Sequence, residues 1–129
     1  MSKSGSTVTS GCPVTAFQKM ISGKYKLRIM WDLKDGPLRY GEIRSGLLRG
    51  ADGTQEIAPR VLSRELKALT QSGRLLDRKD YGVVPPKVEY RLTRKGQSFI
   101  PVIAAIRQWG ARHLRQAGHG EKIDQIAAE

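Results

Sequence analysis

Ile57-Ala58-Pro59-Arg60-Val61-Leu62-Ser63-Arg64-Glu65-Leu66-Lys67-Ala68-Leu69-Thr70-Gln71-Ser72-Gly73 sets Leu62, Leu66, Leu69 and Gly73 at steps of four, three and four. That is the period of one helix face. The other side shows Arg60, Ser63, Arg64 and Lys67. Pro59 suits the first helical turn, where its missing N–H has no partner to lose. Gly73 is the expected stop, because glycine tolerates the left-handed conformation that ends many helices. The spacing therefore predicts a helix over 57–72 with a leucine back and a front of cations and a hydroxyl. Such a front fits the DNA major groove, where arginine grips guanine O6 and N7. It also fits an ordinary amphipathic surface helix.

C-terminal to Gly73 the period changes. Leu75–Tyr81 reads as a strand, and Val88-Glu89-Tyr90-Arg91-Leu92 alternates as its partner. Gly82-Val83-Val84-Pro85-Pro86-Lys87 between them cannot continue a ladder, since its two prolines lack donors. The pair is a hairpin with a stiff, protruding tip, and Lys79 and Lys87 lie on this wing. Thr93 is a good N-cap for a last helix of about residues 94–117, with Pro101 as a kink or late start. Phe99, Val102, Ile103, Ile106, Trp109 and Gly110 cluster at helical spacing in it. That is more apolar surface than so small a domain covers by itself. A dimer interface is the preferred reading over a purely intramolecular core, with Phe17 from the first helix joining it.

N-terminal to Ile57, Gly50–Thr54 must be a loop, as two glycines in four residues discourage helix. A helix is expected over 40–48, with Ile43, Leu47 and Leu48 on its apolar side. Asp35-Gly36-Pro37 is a turn. Before it come a helix over 24–34, with Lys24, Lys26 and Arg28 on its more exposed side, and a short helix over 14–21. Cys12-Pro13 opens the latter, which sets Cys12 at or beside the N-cap. Free N–H groups and the positive helix end favour thiolate there. The local charge agrees, because Lys3, Lys19, Lys24, Lys26 and Arg28 all precede the first acid, Asp32. Two readings stay open for Cys12: a reactive thiol, or a small half-buried apolar residue with no regulatory role.

Composition narrows the classes. The 129 residues are most simply one domain, and 6% aromatic content predicts an aliphatic core. Residues 59–96 hold ten cations and four anions, +6 of the net +11, so the positive charge is concentrated on the candidate groove helix and hairpin. That points to a polyanionic partner. The longest nearly apolar run, Phe99–Ile106, is far short of the ~20 residues that span a bilayer. One cysteine excludes an intrachain disulfide, and a reducing cytoplasm is the expected compartment. His113 and His119 have no acid or thiol at metal-ligand spacing and read as solvated surface. Gly50, Gly53 and Gly96 do not make a phosphate loop. Glu42 and Glu65 are expected as ion-pair partners rather than acid–base catalysts. No enzyme, metal or cofactor is expected.

The order of these pieces resembles the HxlR-type family of winged-helix transcription regulators. The residues that carry it are Cys12-Pro13, Gly23-Lys24-Tyr25, Leu38-Arg39-Tyr40-Gly41-Glu42-Ile43, Leu62 with Leu66, Leu69 and Gly73, and Arg78 with Tyr81. The most specific run is Val84-Pro85-Pro86-Lys87-Val88-Glu89-Tyr90-Arg91-Leu92-Thr93 with Gly96, followed by Trp109. Ala58 departs from a common serine cap, and the 49–56 loop is longer than usual. The resemblance implies a bacterial or archaeal regulator that binds operator DNA as a homodimer. It also implies that the N- and C-terminal helices form the dimer and that Pro59–Ser72 reads the groove. Some members sense oxidants or electrophiles through the N-terminal cysteine, which bears on Cys12.

The expectation is a mainly α (α+β) winged helix-turn-helix with extra N- and C-terminal dimerisation helices. Residues 1–11 form a loose arm, 12–117 the DNA-binding and dimerisation domain, and 118–129 a polar tail. Arg60, Ser63, Arg64 and Lys67 face the groove of double-stranded DNA. Arg39, at the entry of the third helix, and Lys79 and Lys87 meet the phosphate backbone. The operator is a near-palindrome; any small-molecule effector is open, and no membrane is involved. The competing classes are a non-specific basic RNA-binding protein, which lacks an aromatic platform beyond Tyr81 and Tyr90, and a protein-interaction module on the same fold.

Overall fold

Pro13 occupies the first position of helix α1 (Pro13–Ile21) in a computed structural model of the chain, and Cys12 is its N-cap. The structure describes residues 11–49 and 57–114. The expected arm up to residue 10, the Gly50–Thr54 loop, His119 and the tail lie outside them. Helix α2 (Lys26–Asp32) ends in a 3₁₀ turn, Leu33–Asp35, which Gly36 closes with φ +146°. Helix α3 spans Tyr40–Arg49. Helix α4 spans Pro59–Lys67, shorter than the leucine spacing predicts.

The reason for the shorter helix is local. Ala68–Ser72 widens into a π-helical turn, closed by the Gly73 N–H on the Ala68 carbonyl. The Thr70 hydroxyl donates to the Leu66 carbonyl at 2.6 Å, a back-bond of the kind that bends helices. Gly73 is not the left-handed stop either. Its φ is −82°, and Arg74 takes the left-handed position at φ +53°. Gly73 is instead buried, with the Leu75 side chain 3.4 Å from where its Cβ would stand.

Three strands follow the order β1–β3–β2, where β1 is Leu38–Arg39, β2 Leu76–Asp80 and β3 Val88–Leu92. β2 and β3 are antiparallel, with Leu76 opposite Leu92 and Lys79 opposite Glu89. β1 adds Leu38 opposite Tyr90 and Arg39 opposite Glu89. The sequence reading missed β1, because two residues carry no alternation to detect. Helix α5 (Arg94–His113) starts where Thr93 Oγ1 accepts the Gly96 N–H at 3.0 Å. It runs through Pro101 as one helix and so does not start late. Pro101 lies on the exposed side, where solvent can meet the Gln97 carbonyl that it leaves without a donor.

Ile29, Met30, Ile43, Leu62, Leu66 and Leu69 are fully or almost fully buried, and all thirteen core residues among the described ones are Ile, Leu or Met. Each such side chain contributes about 1.5–3 kcal/mol by leaving water. The core thus joins α2, α3 and α4 to the sheet, and fixes which side of α4 stays outside.

Candidate nucleic-acid interface

Leu62, Leu66 and Leu69 face the core, so Arg60, Ser63, Arg64 and Lys67 are all exposed on the opposite side. None of the four has a side-chain ion pair or hydrogen bond among the described residues. Among the described residues, three cations and a hydroxyl therefore stand without partners on one helix front. No side chain caps α4, because Ala58 is its N-cap; the Tyr40 hydroxyl reaches the Pro59 carbonyl from α3 at 3.4 Å.

Glu65 is the one acid of α4, and it points inward at 4% exposure. It accepts the Lys24 backbone N–H at 3.1 Å and pairs with the Lys26 ammonium. Lys26 also donates to the Ser22 carbonyl. The pairing agrees with the expectation for Glu65 but corrects that for Lys26, which is only 8% exposed. A lysine that meets a buried carboxylate must leave the surface with it. Glu42 has no ion pair among the described residues: its Oε1 accepts the Arg39 backbone N–H at 2.8 Å and closes the start of α3.

The hairpin carries a charged cluster. The Lys79 and Lys87 ammonium groups stand over the Tyr81 ring, 4.7 and 4.3 Å from its centroid. The Tyr81 hydroxyl donates to Glu89 at 2.7 Å. That bond raises the Tyr81 pKa. It is also the first cause of a lowered Glu89 pKa; burial opposes it, and the charges of Lys87, Arg91 and Arg39 add to it. Beyond the cluster the tip is apolar: Val83 and Val84 are 51% and 95% exposed, and the Val84–Pro85 peptide is cis. Arg39 is exposed on β1, beside this arm and immediately before α3.

Cys12 is exposed at the start of α1. No side-chain hydrogen bond of full geometry caps that helix. The backbone N–H groups of Thr15, first, and of Val14 nevertheless hold the thiol below its ordinary value. Phe17 packs on Phe99, ring centroids 5.1 Å apart, and so ties α1 to α5. Val102, Ile106 and Trp109 leave an exposed strip on α5, and Val14 is exposed on α1. Ile103, read from the sequence as part of an interface, is 6% exposed and belongs to the chain's own core. Its place one residue from Val102 turns it by about 100° toward α2. No group of acids, cysteines and histidines among the described residues could hold a metal, and no helix there is long and apolar enough to cross a membrane.

Helix, turn, helix and a paired wing, with free cations on the second helix, define a winged helix-turn-helix DNA-binding transcription regulator. The chain belongs to the HxlR-like helix-turn-helix family, whose profile matches residues 20–118. It is 40% identical over 112 residues to an HTH-type transcriptional regulator of Methanothermobacter thermautotrophicus, covering 86% of this chain and 79% of that protein. A solved MarR-family transcriptional regulator of Porphyromonas gingivalis superposes with a TM-score of 0.68 at 35% identity, over 82% of this chain and 96% of that one. The redox regulator HypR in its oxidised form gives 0.65 at 33% identity, over 77% and 94%. These are regulators of transcription, not enzymes.

Proposed function

We propose that the protein is a cytoplasmic, sequence-specific operator-binding regulator that acts as a homodimer on a near-palindromic site. The observation that carries this reading is the free front of α4: Arg60, Ser63, Arg64 and Lys67 exposed together, opposite a fully buried leucine row. Arg60 and Arg64 reach base edges, and Lys67 and Ser63 complete the contact. Lys79, Lys87 and Arg39 meet phosphates and fix the docking. The exposed strip of Val102, Ile106 and Trp109, with the Phe17–Phe99 pair beside it, joins two copies. An exposed apolar strip of this kind is costly unless covered. Modification of the Cys12 thiol tunes binding through α1. Its lowered pKa and the redox regulation that HypR's name declares support this.

The experiment is unbiased selection of duplexes from a random pool, run with reduced and with diamide-treated protein. A near-palindrome with half-sites roughly 34–36 Å apart is expected, with weaker enrichment after treatment. Recovery of no shared sequence, or tight binding of a single half-site by a monomer, counts against the reading.

A further inference from the structure

Glu65, in the last third of α4, makes a buried ion pair and a hydrogen bond to the corner between α1 and α2. This inference rests on α4 reading DNA. We propose that Glu65, Lys26 and Gly23 form a positioning site for specific recognition: they fix the rotation of α4 about its own axis, and so the register in which Arg60, Ser63, Arg64 and Lys67 meet base edges.

Leucine packing alone does not set that rotation sharply. Apolar burial is non-directional, whereas hydrogen bonds weaken steeply with angle. The N-terminal end of α4 offers little that is directional, and past its other end the directional side-chain bonds fall on the Gly73 and Arg74 carbonyls, beyond the helix. Ala58 supplies no cap, the Tyr40–Pro59 contact is long at 3.4 Å, and the C-terminal end opens into a π turn. Glu65, by contrast, accepts from the Lys24 backbone N–H and from the Lys26 ammonium, while Lys26 donates to the Ser22 carbonyl. Among the described residues these are the hydrogen bonds that tie α4 to the corner between α1 and α2.

The corner is shaped to receive the carboxylate. Gly23 adopts φ +130°, and a Cβ there would stand 2.6 and 2.7 Å from the two Glu65 oxygens and 2.6 Å from Lys26 Nζ. The carboxylate is thus seated against backbone, with no side chain between. Arg64 is the preceding residue in the chain, so any turn of α4 that displaces Glu65 swings Arg64 across the groove. The site is also polar in one sense only. The Lys24 N–H donates toward α4 and the Ser22 carbonyl accepts from α2, so the two charges are not interchangeable.

That asymmetry supplies the test. Kd is measured on a selected operator and on random duplex, across salt, for the full chain and its variants. Glu65→Gln keeps one of the two acceptor oxygens and sets its NH2 against the Lys24 N–H or the Lys26 ammonium, so its discrimination is expected to fall between wild type and the apolar pair. Lys26→Met with Glu65→Leu replaces the pair by apolar groups of similar volume, a change that often preserves stability. It is expected to keep random-duplex affinity and salt slope and to lose roughly tenfold or more in discrimination, as when a base contact falls out of register. Lys26→Glu with Glu65→Lys restores attraction but sets an ammonium from α4 against the Lys24 N–H and a carboxylate from α2 against the Ser22 carbonyl, so it is expected not to rescue. Where the apolar pair does not fold, Gly23→Ala keeps both charges, displaces the carboxylate and is expected to lose discrimination likewise. Unchanged discrimination in the apolar pair or in Gly23→Ala, or full rescue by the swap, overturns the proposal and leaves the pair as a stability element. Absence of any duplex preference in wild type is a separate failure, that of the DNA-reading function itself.

Discussion

A methyl group on Gly96 would stand 2.3 Å from the carbonyl oxygen of Leu75. The first turn of α5 is pressed onto the entry of β2 at that point. The same carbonyl accepts the Thr93 N–H at 3.0 Å, and Thr93 Oγ1 donates to the Arg74 carbonyl at 2.8 Å. Gly96→Ala is therefore expected to destabilise the fold by roughly 1–3 kcal/mol, the range for forcing a group into packed structure. Urea unfolding measures it. A midpoint equal to wild type would mean that the contact relaxes freely.

The wing has a pH dependence with a definite sign. The Tyr81 hydroxyl holds the Glu89 pKa down. A carboxylate whose folded pKa is lowered contributes stability above its unfolded value and loses it as pH falls through the folded one. Tyr81, whose pKa is raised by the same bond, contributes below its unfolded value and loses it as pH rises through the folded one. Tyr81→Phe should move the Glu89 midpoint upward, read by NMR titration of its carboxyl carbon. An unmoved midpoint assigns the shift to Lys87, Arg91 and Arg39 instead.

Cys12 should alkylate as a thiolate at lower pH than an ordinary cysteine, since the Thr15 and Val14 N–H groups favour the anion. The pH–rate profile with iodoacetamide gives the midpoint. In concentrated urea, with α1 gone, it should rise to the value of a free thiol. Identical midpoints in both conditions would remove the helix start as the cause.

Specificity and positioning should separate by residue. Arg64→Ala should cost about 1–3 kcal/mol on the preferred site and relax one base position. Lys87→Ala should weaken all duplexes alike and reduce the salt slope by about one. Equal losses for Arg64→Ala on specific and random DNA would make it a phosphate contact.

Ile106 is 42% exposed on the strip that we assign to the dimer. Ile106→Glu should leave helix content unchanged and shift sedimentation from dimer to monomer, with operator affinity falling alongside. A dimer that persists places the interface elsewhere.

The leucine row of 57–73 and the alternation of 88–92 were legible because burial on one side writes itself into periodicity. The Thr93 cap was legible because its chemistry is local. The limits of α4 were not, since the Thr70 back-bond depends on a hydroxyl rotamer. The left-handed position went to Arg74 because the Thr93 and Lys95 side chains bond the Arg74 and Gly73 carbonyls from α5, a long-range contact. The free front of α4 could be read from spacing. The burial of Lys26 could not, because its partner lies 39 residues away. Ile103 was misread because α5 has an apolar side facing inward and another facing out, and a single period does not separate them.

Lys79 and Lys87 share one ring, and Glu89 holds that ring by its hydroxyl. The wing therefore presents a charge doublet whose spacing is set by an aromatic plate and not by the backbone register. Seating on the ring biases two flexible side chains toward one arrangement before any duplex arrives, which lowers the ordering left to the encounter. Removing either lysine leaves the other still seated. Replacing Tyr81, which carries no positive charge, would loosen both.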